Sequence, residues 1–316
     1  MRLRVAFLLA ALMLVCSFSL TGASAQVQGE CKSAVPPPGT IAINDTLYAD
    51  QGEALNVDYR EYLYYLGRAY GTDSPELREA LPDTTVWEAV GETVAYGGWY
   101  FWDSATSYHP VVGVTQLQAI RFLAWRTDRV AELALIKCGA ITPYPDATRD
   151  DLFTVDRYRK GQYVNTVELV SFVAPVYRLP TPAEWGLIAG VSDTEPYGTD
   201  SGLRQNRRLV RRNGGLFHDA QALRRSQSES GNKPRTRPSL ETARNRNGLC
   251  GTVANVREWV ANPGVARGSD WTQKLTPETF STSHPVVGAD ARTGFRAVAQ
   301  MYRFEPAKTT VRSTGQ

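Results

Sequence analysis

Cysteine and histidine are where a chain of this length most readily carries nucleophilic, redox or metal chemistry. Four cysteines occur in 316 residues, at Cys16, Cys31, Cys138 and Cys250. No Cys-x-x-Cys is present, which argues against a zinc ribbon or a thioredoxin-like redox site. The three histidines, His109, His218 and His284, lie too far apart to form a local metal motif. Arg178 and Glu184 have the types of a catalytic ion pair. Their setting fits a different role, with Glu184 completing a helix cap and Arg178 anchoring a buried polar network. The run from Tyr96 to Trp102, YGGWYFW, is denser in aromatics than a core strand requires. Trp99, Tyr100 and Trp102 are therefore a candidate ligand platform for stacking a sugar, set against a plain role in core or interface, which is the preferred reading. From Leu203 to Arg246, eleven Arg and Lys233 stand against Asp219, Glu229 and Glu241, a local charge of +9. Such a segment can bind phosphates. Few aromatics interleave with the arginines, so base stacking is poorly served and nucleic acid is not expected as a partner.

The N-terminus bears on compartment. Arg2 and Arg4 precede an apolar run from Val5 to Leu20, followed by Thr21-Gly22-Ala23-Ser24-Ala25. A basic start, an apolar middle and an Ala-x-Ala end describe a secretory signal, residues 1–25, cleaved after Ala25. Cys16 follows Val15, where lipidated signals want Gly, Ala or Ser, so membrane attachment is expected only if Cys16 is lipidated. Past residue 25, no apolar run is long enough to span a bilayer; Val167–Tyr177 comes nearest and is interrupted by Ser171 and Pro175. The expected location is the periplasm or cell envelope. Cleavage leaves Cys31, Cys138 and Cys250, an odd number in an oxidising compartment, so at least one thiol stays free or pairs outside the chain. Which two pair is open at this point.

The elements that must position these residues are few. Residues 26–39 contain Pro36-Pro37-Pro38-Gly39 and read as an extended lead-in. A first helix is predicted from Asn56 as N-cap, with Tyr59, Leu63, Leu66 and Tyr70 on one face and Gly71 beyond its end. A shorter helix starts at Ser74-Pro75. The strongest helix is Gln116–Lys137: Thr115 and Gln118 have capping-box spacing, and Leu117, Ile120, Leu123 and Ala124 form an apolar stripe. Cys138-Gly139 closes it. Tyr177-Arg178-Leu179 reads as a short strand entering a third helix, which opens with the capping box Thr181-Pro182-Ala183-Glu184. Residues of about 200–247 show no apolar period and are expected to be a basic, solvated surface insertion. Elsewhere the strands look short and the loops long.

Several segments, taken in order, resemble the formylglycine-generating-enzyme or sulfatase-modifying-factor domain family. Glu53 to Leu63, EALNVDYREYL, is similar to its E-V-T-N-x-x-Y-x-x-F helix. Pro110 to Val114 with the Thr115 helix resembles P-V-x-x-V-S/T-W. Tyr177 to Trp185, YRLPTPAEW, matches R-L-P-T-E-A-E-W, and Gly248 to Trp259, GLCGTVANVREW, resembles G-L-Y-D-M-x-G-N-V-W-E-W. Arg267 to Trp271 and Gly294-Phe295-Arg296 look like the closing R-G-G-S-W and G-F-R. Trp125 to Val130 resembles the branch containing gliding-motility and type IX secretion lipoproteins. The resemblance implies one domain over residues 40–303, with a 304–316 tail, in an α+β fold related to C-type lectins and low in regular secondary structure.

The resemblance also says which chemistry to expect. The catalytic members hold copper(I) with two cysteines just before G-F-R, and Arg267 to Arg296 contains none here. Sulfoxide synthases of the same fold bind iron through histidines on an additional helical domain, and this chain has no His-x3-His pair. A structural calcium in the family would use Glu258 with the carbonyls of Ala254 and Val256, but the Asp or Asn that completes it is Gly251 here, so calcium is a weak candidate and no other cofactor is expected. Arg178, Thr181, Glu184, Trp185, Asn255, Trp259, Arg267, Trp271 and Arg296 are expected as structural motif residues, with no catalytic residue among them. The expectation is an exported, non-catalytic protein for envelope assembly or ligand binding, linked to gliding motility or type IX secretion, with envelope proteins or an anionic glycan as partners. The alternative is a secreted enzyme of the same fold with a cysteine-independent mechanism.

Overall fold

The computed structural model describes residues 30–144, 148–190, 233–242, 244–245, 247–252, 254–273 and 282–307. The expected signal segment, residues 200–232 of the expected basic insertion and the end of the tail lie outside the described residues.

Local chemistry sets the helix boundaries. Helix α1, Asn56–Tyr70, ends at Gly71, whose φ of 97° suits a residue without Cβ. Its start differs from the sequence reading. Leu55 is the N-cap and offers no side-chain bond. Asn56 instead is fully buried and donates from Nδ2 to the carbonyls of Tyr100 and Thr106, each at 3.0 Å. Helix α2, Pro75–Ala80, is capped by Ser74, which accepts from the Leu77 amide. The aromatic run forms a helix, α3 (Val94–Trp102), and not a strand, because Thr93 caps it by accepting from the Tyr96 amide.

Helix α4, Gln116–Lys137, has the expected bounds and both bonds of the capping box between Thr115 and Gln118. Gly139 follows it with a φ of 79°. The buried face is not the stripe expected, however. Leu117 and Ile120 are 55% and 46% exposed, and Ala124 is exposed too. The inward residues are Ala119, Phe122, Leu123, Ala131, Ala134 and Leu135. α4 packs on a sheet strand, and the small alanines on its inner face let the two backbones approach. Helix α5 is Val155–Arg159. Helix α6, Pro182–Ala189, opens with the Thr181–Glu184 capping box and closes at Gly190.

Two small sheets complete the fold. In the first, β1 (Thr40–Ala42), β2 (Tyr48–Asp50), β8 (Val298–Phe304) and β3 (Phe172–Arg178) run in that order, all antiparallel. The long β3–β8 ladder runs from Phe172 opposite Phe304 to Arg178 opposite Val298. In the second, β6 (Ser283–Pro285), β5 (Val265–Arg267) and β4 (Arg257–Trp259) pair antiparallel, and β7 (Thr293–Gly294) joins β4 in parallel. The main core lies between α1, α4 and these sheets. There Tyr59 stacks on Phe122 at 5.5 Å, and Phe295 meets the edge of Phe122, also at 5.5 Å. Cys31 and Cys138 form a disulfide, joining the lead-in to the end of α4, and Cys250 is free and buried. This is the α+β class expected, with mostly three-residue strands.

From Lys233 the chain is built into the molecule, in contrast to the solvated loop expected up to residue 247. Arg235, Thr236 and Ser239 are buried. Tyr96 Oη donates to the Lys233 carbonyl at 3.1 Å and accepts from the Arg235 amide at 3.0 Å.

Candidate functional site

The residues matched at the C-terminal end of the chain converge on Arg296, which is fully buried just beyond β7. Its Nε lies 3.1 Å from each Glu258 oxygen, and its Nη2 lies 2.8 Å from Oε1. The remaining guanidinium donors go to the Asp50 carbonyl at 2.9 Å and the Cys250 carbonyl at 2.6 Å. β4 holds Glu258 here, and α6 delivers Trp185, whose Nε1–H donates to Glu258 Oε2 at 2.9 Å. Arg267 on β5 stacks over the Trp185 ring at 5.4 Å and donates to the Pro182 carbonyl. A buried carboxylate this fully bonded, with its countercharge in contact, avoids the cost of an unpaired charge.

A second carboxylate stands beside this pair. Glu53, only 3% exposed, accepts from Ser239 Oγ at 2.5 Å and from Asn255 Nδ2 at 3.1 Å. Asn255 adopts a φ of 90°, and its Oδ1 accepts from the Arg237 amide at 2.8 Å. A Cβ on Gly251 would sit 2.3 Å from the Glu53 carboxylate. Glu53 thus fills the space that a side chain at position 251 would need. Burial pushes its carboxyl up to about 7, against a lowering pull from Arg296. One guanidinium cannot neutralise two carboxylates, and Glu258 has the closer hold on it.

A family profile, the sulfatase-modifying factor enzyme 1-like domain, matches residues 36–301. The chain belongs to this family. Among solved structures it is similar to the crystal structure of CarF, at 17% identity over 80% of this chain and 86% of that one, with a TM-score of 0.38. It is also similar to Treponema denticola variable protein 1, at 17% identity over 80% and 84% of the two chains, with a TM-score of 0.36. No curated protein matches.

Family membership makes calcium and copper the metals against which these residues can be compared. Calcium asks for six to eight oxygens. Both Glu258 oxygens already accept from Arg296 or Trp185, Gly251 has no side chain, and Glu53 is bonded to Ser239 and Asn255. A dication placed beside Glu258 would meet a guanidinium. The residues do not fit calcium at this position, and among the described residues no group of three His, Cys, Asp or Glu side chains is placed to hold a metal. The family's copper(I) site would use two thiolates. The Cys250 thiol is buried 3.7 Å from the Leu240 carbonyl, its pKa is pushed up by burial, and Cys31 and Cys138 are bonded to each other.

The remaining family residues serve structure. Arg178 and Glu184 form a two-pronged pair, both distances 2.7 Å, with Gln300 as a further partner of Arg178. Glu184 also accepts from the Thr181 amide, and the Arg178 bond holds its carboxyl below the usual range. Trp259 and Trp271 are buried and donate to the carbonyls of Val114 and Ala291. Trp99, Tyr100 and Trp102 do not form one platform. Tyr100 is 1% exposed while Trp102, on another face of α3, is 55% exposed, and Trp99 is half-buried.

Sequence reasoning missed Glu53 as a site residue, because nothing in the chain order ties it to the glycine at 251 whose space it fills. It also missed a chain of hydrogen bonds through His109. Tyr100 Oη must donate to the Pro110 carbonyl (2.7 Å), so Thr236 Oγ1 donates to Tyr100 (2.8 Å) and His109 Nδ1–H donates to Thr236 (2.8 Å). Burial pulls the His109 pKa down to about 4, so this imidazole is neutral at neutral pH. No sequence spacing links residues 109 and 236.

Proposed function

We propose that this chain is an exported, non-catalytic member of the sulfatase-modifying factor family that acts in the cell envelope as an assembly or ligand-binding protein. The observation that carries the reading is the state of the thiols. Arg267 to Arg296 contains no cysteine, Cys250 is sealed in the core, and Cys31 is bonded to Cys138. That disulfide favours an oxidising compartment, in keeping with the signal-like Arg2-to-Ala25 segment. The gliding-motility and type IX secretion branch rests on Trp125 to Val130 alone. Within that stretch Arg126 pairs with Asp50 and Arg129 with Glu132, so those two arginines have fold-supporting work of their own.

The test combines location and partners in the native host. Mass spectrometry of the envelope fraction is expected to find a mature N-terminus at Gln26. Cross-linking in intact cells is expected to recover a fixed envelope partner. The same experiment with residues 200–232 deleted, sparing Lys233 onward, asks whether the basic segment makes that contact. A cytoplasmic chain beginning at Met1 would overturn the reading.

A further inference from the structure

The cleft between α1 and α4 shares no lining residue with the Arg296 cluster or with α3. It has a volume of about 630 Å³, within the range of small-molecule sites. Tyr64 and Tyr65 of α1, Trp125 of α4 and Tyr144 supply aromatic walls, and Asp58 and Glu61 lie on the same face of α1. Tyr64 and Tyr144 are 67% and 38% exposed, so ring faces are open to a ligand.

Charge decides which ligand suits it. The lining carries Asp58, Glu61 and Glu132 against Arg68, Arg126 and Arg129, an even balance. Arg126 spends two donors on Asp50, at 2.7 and 2.9 Å, and stacks on Tyr177 at 4.0 Å. Arg129 bonds Glu132 at 2.7 Å and the Phe153 carbonyl at 2.6 Å. These two guanidiniums are already committed, which disfavours an anion. The Arg129 guanidinium also covers the Tyr65 ring at 4.6 Å, which takes that face from a ligand cation.

What remains is a set of aromatic faces for C–H surfaces and carboxylates that accept from hydroxyls. We propose that the α1–α4 cleft binds a neutral saccharide, stacked on Tyr64 and Trp125 with its hydroxyls on Asp58 and Glu61. This goes beyond the reading above and holds whether or not the protein is an enzyme.

Calorimetric titration of the full mature chain would use neutral tetrasaccharides of glucose, mannose and N-acetylglucosamine, with a sulfated oligosaccharide as the contrast. At least one neutral probe is expected to bind. Tyr64→Ala and Glu61→Gln, both at exposed positions and each first checked for an intact fold by thermal melting, are expected to weaken it at least tenfold. Trp102→Ala is expected to change nothing. Absence of binding by every neutral probe overturns the proposal, as does preference for the sulfated probe. Binding lost in Trp102→Ala but kept in Tyr64→Ala would place the site on α3 and overturn it equally. These variants leave the mature cysteines untouched, so failure here does not bear on the non-catalytic reading.

Discussion

Replacing Glu53 by Gln should make the protein's stability less dependent on pH. Glu53 is buried beside a pair, Glu258 and Arg296, whose charges already cancel. Burial raises its carboxyl from 4.5 to about 7. Between these two values the folded chain holds a proton that the unfolded chain has lost. Stability is therefore full below pH 4.5 and falls as pH rises toward 7, by about 3 kcal/mol in total from this group. The amide introduced by Glu53→Gln mimics the neutral acid, so it removes that slope and leaves the variant more stable relative to wild type at pH 8 than at pH 5. Asp128, also raised by burial to about 6, adds a slope of the same sign. The readout is accordingly the difference between wild type and Glu53→Gln in urea unfolding at pH 5, 6, 7 and 8. A difference that stays constant across that range would refute the reasoning, since it would mean that Glu53 is ionised in the folded state alongside Glu258.

Two further outcomes follow from the same geometry. Thr181→Ala is expected to cost about 1 kcal/mol, because the Thr181 hydroxyl accepts from the Glu184 amide at the start of α6; a melting midpoint equal to wild type would show that this cap is idle. Calcium in excess over chelator is expected to leave the melting temperature unchanged, because Arg296 and Trp185 occupy Glu258; a calcium-dependent rise that disappears in Glu258→Gln would restore the site.

Features settled by residues a few positions apart were legible from sequence. The starts of α4 and α6 follow from capping boxes at Thr115 and Thr181, whose partners lie three residues on. Features decided across the fold were not. Asn56 has the type of a cap, yet its amide serves carbonyls 44 and 50 residues away. Leu117 and Ile120 continue an apolar period, but β3 packs on the alanine face of α4 and leaves them outside. The aromatic run, read as core or interface with a sugar platform as the other reading, is a helix capped by Thr93, which turns Tyr100 inward and Trp102 outward. Within the candidate site, the Arg296–Glu258 bond joins two motifs already noticed separately. The filling of Gly251's space by Glu53 joins residues from opposite ends of the domain, and a glycine gives no hint of what replaces its side chain.

The central claim is that this family domain lacks the thiol chemistry of its catalytic members, and a single peptide assay tests it most directly. A cysteine-containing sulfatase-motif peptide is incubated with the protein and oxygen, with and without copper(I), and its mass is followed. The account predicts no mass loss in either condition, because among the described residues no two thiolates lie together and Cys250 is buried. Conversion of the peptide cysteine to formylglycine would contradict it, and conversion that persisted in Cys250→Ser would point to the cysteine-independent enzyme instead.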